Sequence, residues 1–489
     1  MGWIRGNVCA LVAVVSIGAG CSSLDDDVTK AEQAALGDFL PGLTVTSGLL
    51  AEATGAFNAV EQITDGVGPV FNERACGNCH TNGAKGGAGE QIERRFGRFV
   101  NGIFDPLAAQ GGTLRQLFSV GNFNNPNLPA SSRGRCQPGN PTLCCVPVEV
   151  EPPQATVHNV GRLTTPVFGG GLIDVIPDSV IRAIPATQPA AIRGQVVNVT
   201  TVFPNPGDPA QSLTSVKAGR FGWKAGVSTL LQFSGDAYNN EMAISTQSCF
   251  RGTSNNVFAL ENTPNAFPGT GLEGCDDLAP PQTAPNPGGA PAITDSQWRQ
   301  VDDAVGSCAG GRTEIQDDIF LFAAFMEALA PAPRDFSDQI SVTRGEPLFR
   351  QVGCNGCHLQ TTFRTPANPP SVDIDGTGAE FVRVPGNFAF NPFSDFLIHD
   401  MGSLGDNIGI RPPDDPANPM GVGVVEARSM RTAPLWGLRF RNHLLHDGRC
   451  GDVPCAVRAH DGQAAASRNA FNALSPANQH NIVQYVRSL

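Results

Sequence analysis

Apolar residues recur at helical spacing in two segments of the chain. The first segment has Ile315, Ile319, Phe322, Met326 and Leu329, and the second has Ile482, Val486 and Leu489. Spacings of three and four residues place such side chains on one face of an α-helix, which then packs on a core. Pro331 and Pro333 end the first helix, so we expect a domain boundary near residue 333.

The N-terminus carries a different apolar pattern. Val8 to Gly20 form an apolar run behind Arg5, and small residues precede Cys21. The run is too short to span a bilayer and predicts a signal peptide over residues 1–20. The small residues before Cys21 resemble a bacterial lipobox, in which the cysteine is lipidated. Gly18 stands where lipoboxes usually carry Leu, so ordinary cleavage after Gly20 stays open.

The predicted signal peptide determines the expected location of the mature protein. No later run is long enough for a transmembrane helix, so we predict membrane contact only through a lipid anchor at Cys21. The predicted location is the bacterial envelope, in the periplasm or at the outer membrane. Residues 21–60 are a lead segment before the first domain.

Composition narrows the fold and the partners. Gly (56) and Pro (39) make up about a fifth of the 489 residues, above the usual share of roughly 12%, which predicts much loop. Residues 136–153 and 264–291 are Pro/Gly-rich and are interpreted as irregular insertions. The net charge of −12 argues against nucleic acid as a partner, because no positive field is present.

Two C-x-x-C-H motifs, Cys76–His80 and Cys354–His358, carry the candidate chemistry. Two thiols at this spacing add to the two haem vinyl groups, and the adjacent histidine reaches the iron. Structural disulfides or zinc are the alternative. Two copies in an exported chain favour two covalently bound c-type haems, with Cys76, Cys79, Cys354 and Cys357 as attachment thiols and His80 and His358 as iron ligands.

The flanks of the two motifs repeat. A P-[VL]-F triplet precedes each motif at the same distance, and Thr164–Gly169 is echoed by Thr432–Gly437. The sequence therefore predicts an internal duplication and a mainly α fold of two tandem c-type cytochrome domains with long irregular loops and insertions. The N-terminal haem domain would cover residues 61–333 and the C-terminal haem domain residues 334–489.

From about residue 60 onward the chain resembles the di-haem oxidoreductase family, also called "thiol oxidoreductases" and related to bacterial di-haem cytochrome c peroxidases. The resembling motifs are RLTTPVFGGG at 162–171, GRFGWKA at 219–225, FLIHDMG at 396–402, TAPLWG at 432–437 and LLHDGR at 444–449. The resemblance implies peroxide reduction at the N-terminal haem, with electrons entering through the C-terminal haem. It also leaves a bound Ca²⁺ open.

The related peroxidases have a Trp between the haems and a distal Glu some twenty residues later. Here Trp223 is followed eighteen residues later by Glu241. The resemblance implies that Trp223 relays electrons and that Glu241 is the general acid/base for peroxide. The alternatives are a core Trp223 and a surface Glu241. Met242 or His158 as a sixth iron ligand of the first haem also stays open.

In the related peroxidases a Met lies fourteen residues after an H-D-G histidine and ligates the electron-accepting haem. Counting from His446 gives His460. In the duplication Trp223 matches His446, and Glu241 and His460 follow them. We therefore expect His460 to ligate the second haem, against the alternative of an exposed polar residue. His/His ligation lowers the potential relative to Met/His.

The remaining histidines carry weaker expectations. His399 and His446 resemble family positions that contact haem propionates or fix a loop. Met401 stays open as a sixth ligand. His443 and His480 belong to no motif and are interpreted as surface residues.

Fourteen cysteines are present, and eight remain after Cys9, Cys21 and the four haem thiols: Cys136, Cys144, Cys145, Cys249, Cys275, Cys308, Cys450 and Cys455. An even number in an exported chain predicts disulfides. The expected local pairs are Cys450 with Cys455, and Cys136 with Cys144 or Cys145. A thiol/disulfide active site is the weaker alternative, because no C-x-x-C remains outside the haem motifs.

The leading functional hypothesis is a di-haem oxidoreductase that reduces peroxide or another small oxidant. Its electrons would come from a small electron-donor protein or a quinol-linked donor. A non-catalytic di-haem electron-transfer protein and an oxygen-dependent di-haem oxygenase are the alternatives.

Overall fold

The computed structural model describes residues 34–61, 67, 70–107, 112–119, 150–204, 212–242, 244, 246–248, 255–259, 318–373, 378–410 and 423–489. The signal peptide and Cys21 lie outside this range. So do Cys136, Cys144, Cys145, Cys249, Cys275 and Cys308, together with Ile315 and most of both predicted insertions. No helix within the described part is long and apolar enough to cross a membrane.

The helices are distributed along the whole described chain. They are α1 (Leu49–Asn58), α2 (Cys76–Cys79), α3 (Gly170–Asp174), α4 (Asp178–Ala183), α5 (Leu230–Met242), α6 (Asp318–Ala328), α7 (Gln339–Gln351), α8 (Val453–Ala459), α9 (Ala465–Asn472) and α10 (Pro476–Ser488). Short 3₁₀ turns cover Ile184–Thr187, Ala190–Ile192, Cys354–Gly356, Gly402–Leu404, Leu438–Phe440 and Gly462–Ala464.

Short strands lie between the helices. They are β1 (Thr44–Val45), β2 (Val70–Phe71), β3 (Ile92–Val100), β4 (Ile103–Asp105), β5 (Leu114–Arg115), β6 (Phe118–Ser119), β7 (Val157–Leu163), β8 (Asn198–Pro204), β9 (Ser212–Ala218), β10 (Thr246–Ser248), β11 (Asn255–Ala259), β12 (Phe363–Arg364), β13 (Val372–Asp373), β14 (Phe381–Arg383), β15 (Ala389–Phe390), β16 (Ile398–Asp400) and β17 (Ser429–Arg431).

The predicted fold class is wrong. The chain is mixed α/β, with 35% helix and 18% strand in several sheets, and the described residues show no cytochrome c fold. The physical reason is that residues outside the predicted helices, which the composition assigned to loop, pair as antiparallel strands. The largest sheet has four strands, in which β4, β5 and β7 all pair with β3.

The β3–β4 hairpin shows why this segment is a strand. Asn101 and Gly102 both have positive φ, at 51° and 80°, as a two-residue type I′ turn requires. Phe99 then pairs with Phe104, and their rings lie 5.7 Å apart. An Asn-Gly turn between apolar runs is a hairpin signal that the helical interpretation passed over.

Both predicted helices are present, but only α10 is amphipathic, because α6 is buried on nearly all sides, Glu327 included. In α6 the side chains of Ile319, Phe322 and Met326 are buried, and in α10 those of Ile482 and Val486 are buried. The first helix ends at Ala328, ahead of the two prolines. The α10 helix packs on α7, which leads into the second haem motif.

One hydrophobic core contains residues from both sides of residue 333. Phe57, Phe168 and Phe325 share it with Phe390 and Trp436. A second core holds α7 and α10 together with the Cys450 disulfide loop. Because the larger core is shared, the two haem motifs sit in one continuous packed body.

The repeated loops adopt the same backbone structure. Gly169 and Gly437 are both left-handed, and each donates its N–H to the leucine after the closing helix of its half, at 3.2 Å from Leu329 O and 2.9 Å from Leu489 O. A Cβ on Gly169 would lie 2.6 Å from the ring of Trp436, so only glycine suits that position.

The matching of Trp223 with His446 is confirmed by the loops around them. Phe221 bridges Val227, and Leu444 bridges Cys450, at the same offsets from the two residues. The residue before each of the two has positive φ, 71° at Gly222 and 70° at Leu445. The two positions are therefore structurally equivalent.

Candidate functional site

The two C-x-x-C-H motifs present free thiols. Cys76 and Cys79 bound the short helix α2, and Cys354 begins a 3₁₀ turn that ends one residue before Cys357. All four sulfurs are unbonded, so the disulfide alternative is not realised. Burial raises the pKa of each thiol above its usual value. They are therefore neutral thiols.

Both motif histidines are held in the same way. Nδ1 of His80 lies 3.0 Å from the carbonyl oxygen of Gly87, and Nδ1 of His358 lies 3.1 Å from that of Phe393. Such a contact fixes the tautomer and directs Nε2 toward a metal. Burial lowers the pKa of both rings to about 4, so each is a neutral imidazole able to ligate iron.

His460 is held by the same kind of backbone contact as the two motif histidines. It follows the last residue of α8, where its Nδ1 lies 2.7 Å from the Ala456 carbonyl oxygen. Burial lowers the pKa of His460. After burial, His460 is the next cause of the lowered pKa of His358, so the two rings lie within electrostatic range. The exposed-residue alternative for His460 does not match this burial.

A cavity of about 430 Å³ brings together residues that the sequence places far apart. Its lining includes Cys76, Cys79, His80, Trp223, Glu241 and Met242. Glu241 and Met242 are the last two residues of α5, and α5 contacts β2, just before the first haem motif. The structure thus joins three of the predicted residues, His80, Trp223 and Glu241, in one space.

Glu241 is fixed by contacts at the cavity wall. The side-chain amide of Asn72 donates to Glu241 Oε2 at 2.7 Å, and the backbone N–H of Asn72 donates to the Glu241 carbonyl at 2.7 Å. Burial first, and then the charge of Glu93, raise the pKa of Glu241 to about 8. At neutral pH this carboxyl holds a proton, and it can both give and take one near that pH.

Sequence reasoning missed a group of charged residues beside Glu241. Glu93 hydrogen-bonds to Glu241 and receives a bidentate contact from Arg95 at 2.6 and 3.1 Å. Burial opposes ionisation of Glu93, but Arg95 outweighs it and lowers the pKa of Glu93. Burial raises the pKa of Asp236 to about 6. The two-residue spacing of Glu93 and Arg95 in β3 is the sequence signal that could have identified Glu93 as a site residue. No sequence signal pointed to Asn72.

Trp223 connects the cavity to the C-terminal half. Its indole N–H donates to the Leu163 carbonyl at 2.9 Å, and its ring meets that of His446 edge-on at 6.2 Å. The backbone carbonyl of Trp223 accepts the N–H of Arg431 at 2.8 Å. Trp223 is half-buried and lines the cavity, so it is more than a core residue.

A buried ion triad lies beside Trp223. Asp406 accepts two contacts from Arg162, at 2.8 and 2.7 Å, and one from Lys224 at 2.7 Å. The Asp406 side chain is fully buried. Both cations hold its pKa down at about 2 despite burial. The triad joins the two halves of the chain next to the cavity.

His399 lies beside the second haem motif. Its Nδ1 is 3.8 Å from Cys357 Sγ, and its Nε2 is 2.9 Å from Asp395 Oδ2. Gln188 donates to the same Asp395 oxygen at 2.7 Å and to the Gly356 carbonyl at 2.9 Å. These three residues fix the motif turn, which agrees with the loop-fixing role expected of His399.

The other candidate iron ligands differ in their burial and in whether they line the cavity. His158 is exposed, pairs with Glu151 at 2.8 Å and is absent from the cavity lining. Met242 is buried and lines the cavity with His80, so it stays an open sixth ligand. His443 and His480 are about half exposed, as expected of surface residues. His446 is buried, and burial lowers its pKa to about 4.

The local disulfide prediction is confirmed where the structure describes it. Cys450 and Cys455 are bonded across the start of α8. The pairing of Cys136 with Cys144 or Cys145 lies outside the described residues. So do Cys249, Cys275 and Cys308.

The donor set agrees with haem binding. Free thiol pairs adjoin neutral, oriented imidazoles. The guanidiniums of the buried Arg431 and the partly buried Arg441 have no carboxylate bonded to them among the described residues. Haem would supply both the vinyl groups and the carboxylates that these residues suit. Site and cavity together have the residue types that a haem-binding protein requires.

Comparison with known families agrees with this class. Residues 293–489 match the family described as "Di-haem oxidoreductase, putative peroxidase". This is the family that the sequence motifs resemble. It covers the C-terminal part of the chain, including the second haem motif and His460. No curated protein and no solved structure matches the chain.

Proposed function

We propose that the chain is a di-haem c-type oxidoreductase that reduces peroxide in the cavity at His80. Haem is bound through Cys76 and Cys79 at one site and through Cys354 and Cys357 at the other. Electrons enter at the His358/His460 site and pass Trp223. The observation that carries the proposal is the single cavity shared by His80, Trp223 and Glu241.

Glu241 handles protons in this function. The haem group at His80, when bound, supplies the electrons that cleave the O–O bond. Peroxide takes up two electrons and two protons and leaves as two waters. In its ionised form Glu241 removes the first proton from peroxide and returns it to the departing oxygen, as a general base and then a general acid. Asn72 keeps the carboxyl in place during both transfers.

Glu93 and Arg95 support this role. Arg95 holds Glu93 as a carboxylate, and the bonded Glu93 keeps the proton on Glu241. The pair therefore shares one proton, because two adjacent carboxylates rarely ionise together in a buried site. A pKa of about 8 suits a group that both accepts and donates a proton near neutrality.

The His358/His460 site is the proposed point of electron entry. His358 and His460 would hold this haem iron through Nε2, because the Nδ1 atom of each ring contacts a backbone carbonyl. Such His/His ligation gives a lower potential than Met/His ligation, so the donor must be correspondingly reducing. A small electron-donor protein or a quinol-linked donor meets this requirement. We place the protein in the bacterial envelope, anchored at Cys21.

A second candidate function is electron transfer without catalysis. It is favoured by Met242, which is buried in the same cavity as His80. If Met242 ligates the iron, the site closes to peroxide. The oxygen-dependent oxygenase has no specific observation in its favour.

Replacement of Glu241 by Gln tests the proposal in the haem-loaded protein. We expect kcat/KM for peroxide to fall about 100-fold or more, the typical contribution of a general acid/base. Haem content, measured as the pyridine haemochrome, should stay at two per chain. Glu52→Gln removes an exposed carboxylate from α1 and serves as the matched control. An unchanged rate in Glu241→Gln would remove Glu241 from the mechanism.

A further inference from the structure

Arg441 is a partly buried cation that has no hydrogen-bond or ion-pair partner among the described residues. Its guanidinium forms no hydrogen bond or ion pair with any residue that the structure describes, and its Nε is shielded from solvent. Burial alone lowers its pKa to about 10. An uncompensated charge in such a place is costly, so a binding partner of opposite charge is expected.

Arg431 repeats the pattern nearby. Its side chain bonds only to backbone carbonyls, those of Gly222 at 2.6 Å and Thr432 at 3.2 Å. Burial, and then the charge of Arg441, lower its pKa to about 10, so the two guanidiniums lie close enough to repel. The acid that opposes this shift, Asp395, is already bonded to His399 and Gln188.

The two arginines line a small enclosed cavity of about 40 Å³ together with Trp223 and Trp436. This cavity adjoins the larger one at His80. Thr165, Phe221, Gly222, Trp223 and Phe233 line both. An anionic group carried by a ligand in the larger cavity can therefore reach Arg431 and Arg441 past Trp223.

We propose that Arg431 and Arg441 bind the propionate carboxylates of the haem held at His80. Guanidinium groups match carboxylates in charge and in bidentate geometry, and haem is the ligand that the thiols beside His80 require. The arginines thereby fix the haem edge next to Trp223. This inference rests on the proposed function, since it presumes a haem at Cys76 and Cys79.

The test uses the haem-loaded protein with Arg441→Gln and Arg441→Lys. Resonance Raman spectroscopy reads the propionate bending band, which moves when a contact to the propionate is lost. Both variants should shift this band. Arg441→Gln should also lower the equilibrium constant for reducing the His80 haem about tenfold, or 59 mV for one electron, because a nearby cation is removed. Arg441→Lys keeps the charge and should change the potential less.

Arg182→Gln is the matched control, since it removes one charge from a partly exposed ion pair with Asp178. The inference is overturned if Arg441→Gln and Arg441→Lys both behave like Arg182→Gln. It is also overturned if the low-spin His358 haem alone shifts its potential. In another outcome, the reduction potential of the wild-type His80 haem changes with added phosphate at constant ionic strength, and the Raman band does not move in either variant. This result would show that the arginines bind a free anion instead.

Failure of the proposed function has a different signature. In that case the wild-type protein itself carries fewer than two haems, or none of its haems binds an external ligand. If Arg441→Gln does not fold, Arg441→Lys still decides the question through the Raman band.

Discussion

The indole ring of Trp223 meets the imidazole ring of His446 edge-on, with centroids 6.2 Å apart and planes at 72°. These residues occupy equivalent positions in the two halves of the chain. Each half also donates one backbone hydrogen bond to the equivalent loop of the other half. Leu163 donates to the His446 carbonyl at 2.6 Å, and Arg431 donates to the Trp223 carbonyl at 2.8 Å. The two halves therefore meet reciprocally at this aromatic pair, beside the His80 cavity.

Trp223→Phe tests the proposed electron path. The variant loses the indole contact to the Leu163 carbonyl and part of the ring that faces His446. We expect electron transfer between the haems to slow about tenfold or more, equal to about 1.4 kcal/mol of barrier. Stopped-flow spectra of the half-reduced protein mixed with peroxide measure this rate. Phe471→Leu, at a buried residue of the second core that lines neither cavity, is the control, and equal rates in the two variants would assign Trp223 to packing alone.

The pH dependence of peroxide turnover tests the Glu93–Glu241 pair. Glu241 accepts a proton only as a carboxylate, and its pKa is about 8, so kcat/KM should rise with pH and reach half its maximum near pH 8. Glu93→Gln removes a charge that raises this pKa. The midpoint should therefore move to lower pH, while Glu52→Gln leaves it in place. A midpoint that stays, or moves upward, argues against a shared proton.

The Arg162–Asp406–Lys224 triad is expected to hold the two halves together. Asp406→Asn leaves two buried cations without their carboxylate, so the free energy of unfolding should fall by about 3–5 kcal/mol. Chemical denaturation followed by far-UV circular dichroism measures the loss. Glu346→Gln breaks an exposed pair with Arg350 and should cost less than about 1 kcal/mol. Similar losses in both variants would show that burial does not strengthen the triad.

His460→Gly tests the second haem ligand. Removing the imidazole opens one axial position of the His358 haem, so its low-spin EPR signal should convert to a high-spin signal. His480→Gly removes a half-exposed histidine from α10 and should leave the signal unchanged. An unchanged low-spin signal in His460→Gly would assign the ligand to another residue.

Local sequence features predicted much of the candidate site. The thiols and histidines of the two motifs are adjacent in sequence, so their geometry follows from a single turn. The closing helices followed from the spacing of Ile319 and Ile482, and the Cys450–Cys455 disulfide from its short loop. The match of Trp223 to His446 came from the duplication alone.

The parts that sequence reasoning missed depend on long-range contacts. Glu93 reaches Glu241 only because β3 pairs with β5 and β7, and Asn72 reaches it only where α5 crosses β2. The fold class was wrong for the same reason. Strands of two or three residues, such as Val372–Asp373, have too little pattern to be recognised before their partners are known.

Arg431 and Arg441 show a further limit of prediction from sequence. Nothing in their sequence context distinguishes a buried unpaired guanidinium from a surface one. Only the packing around Trp223 and Trp436 reveals that these charges lie inside the protein without a carboxylate bonded to them.

The most direct test of the account is a cyanide titration of the purified haem-loaded protein in its half-reduced state, followed by EPR and optical spectra. We expect two haems per chain. The His358/His460 haem should stay low-spin and should not bind cyanide, while the His80 haem should bind it. Two haems that are both low-spin and both unreactive toward cyanide would contradict peroxide reduction at His80 and leave an electron-transfer protein.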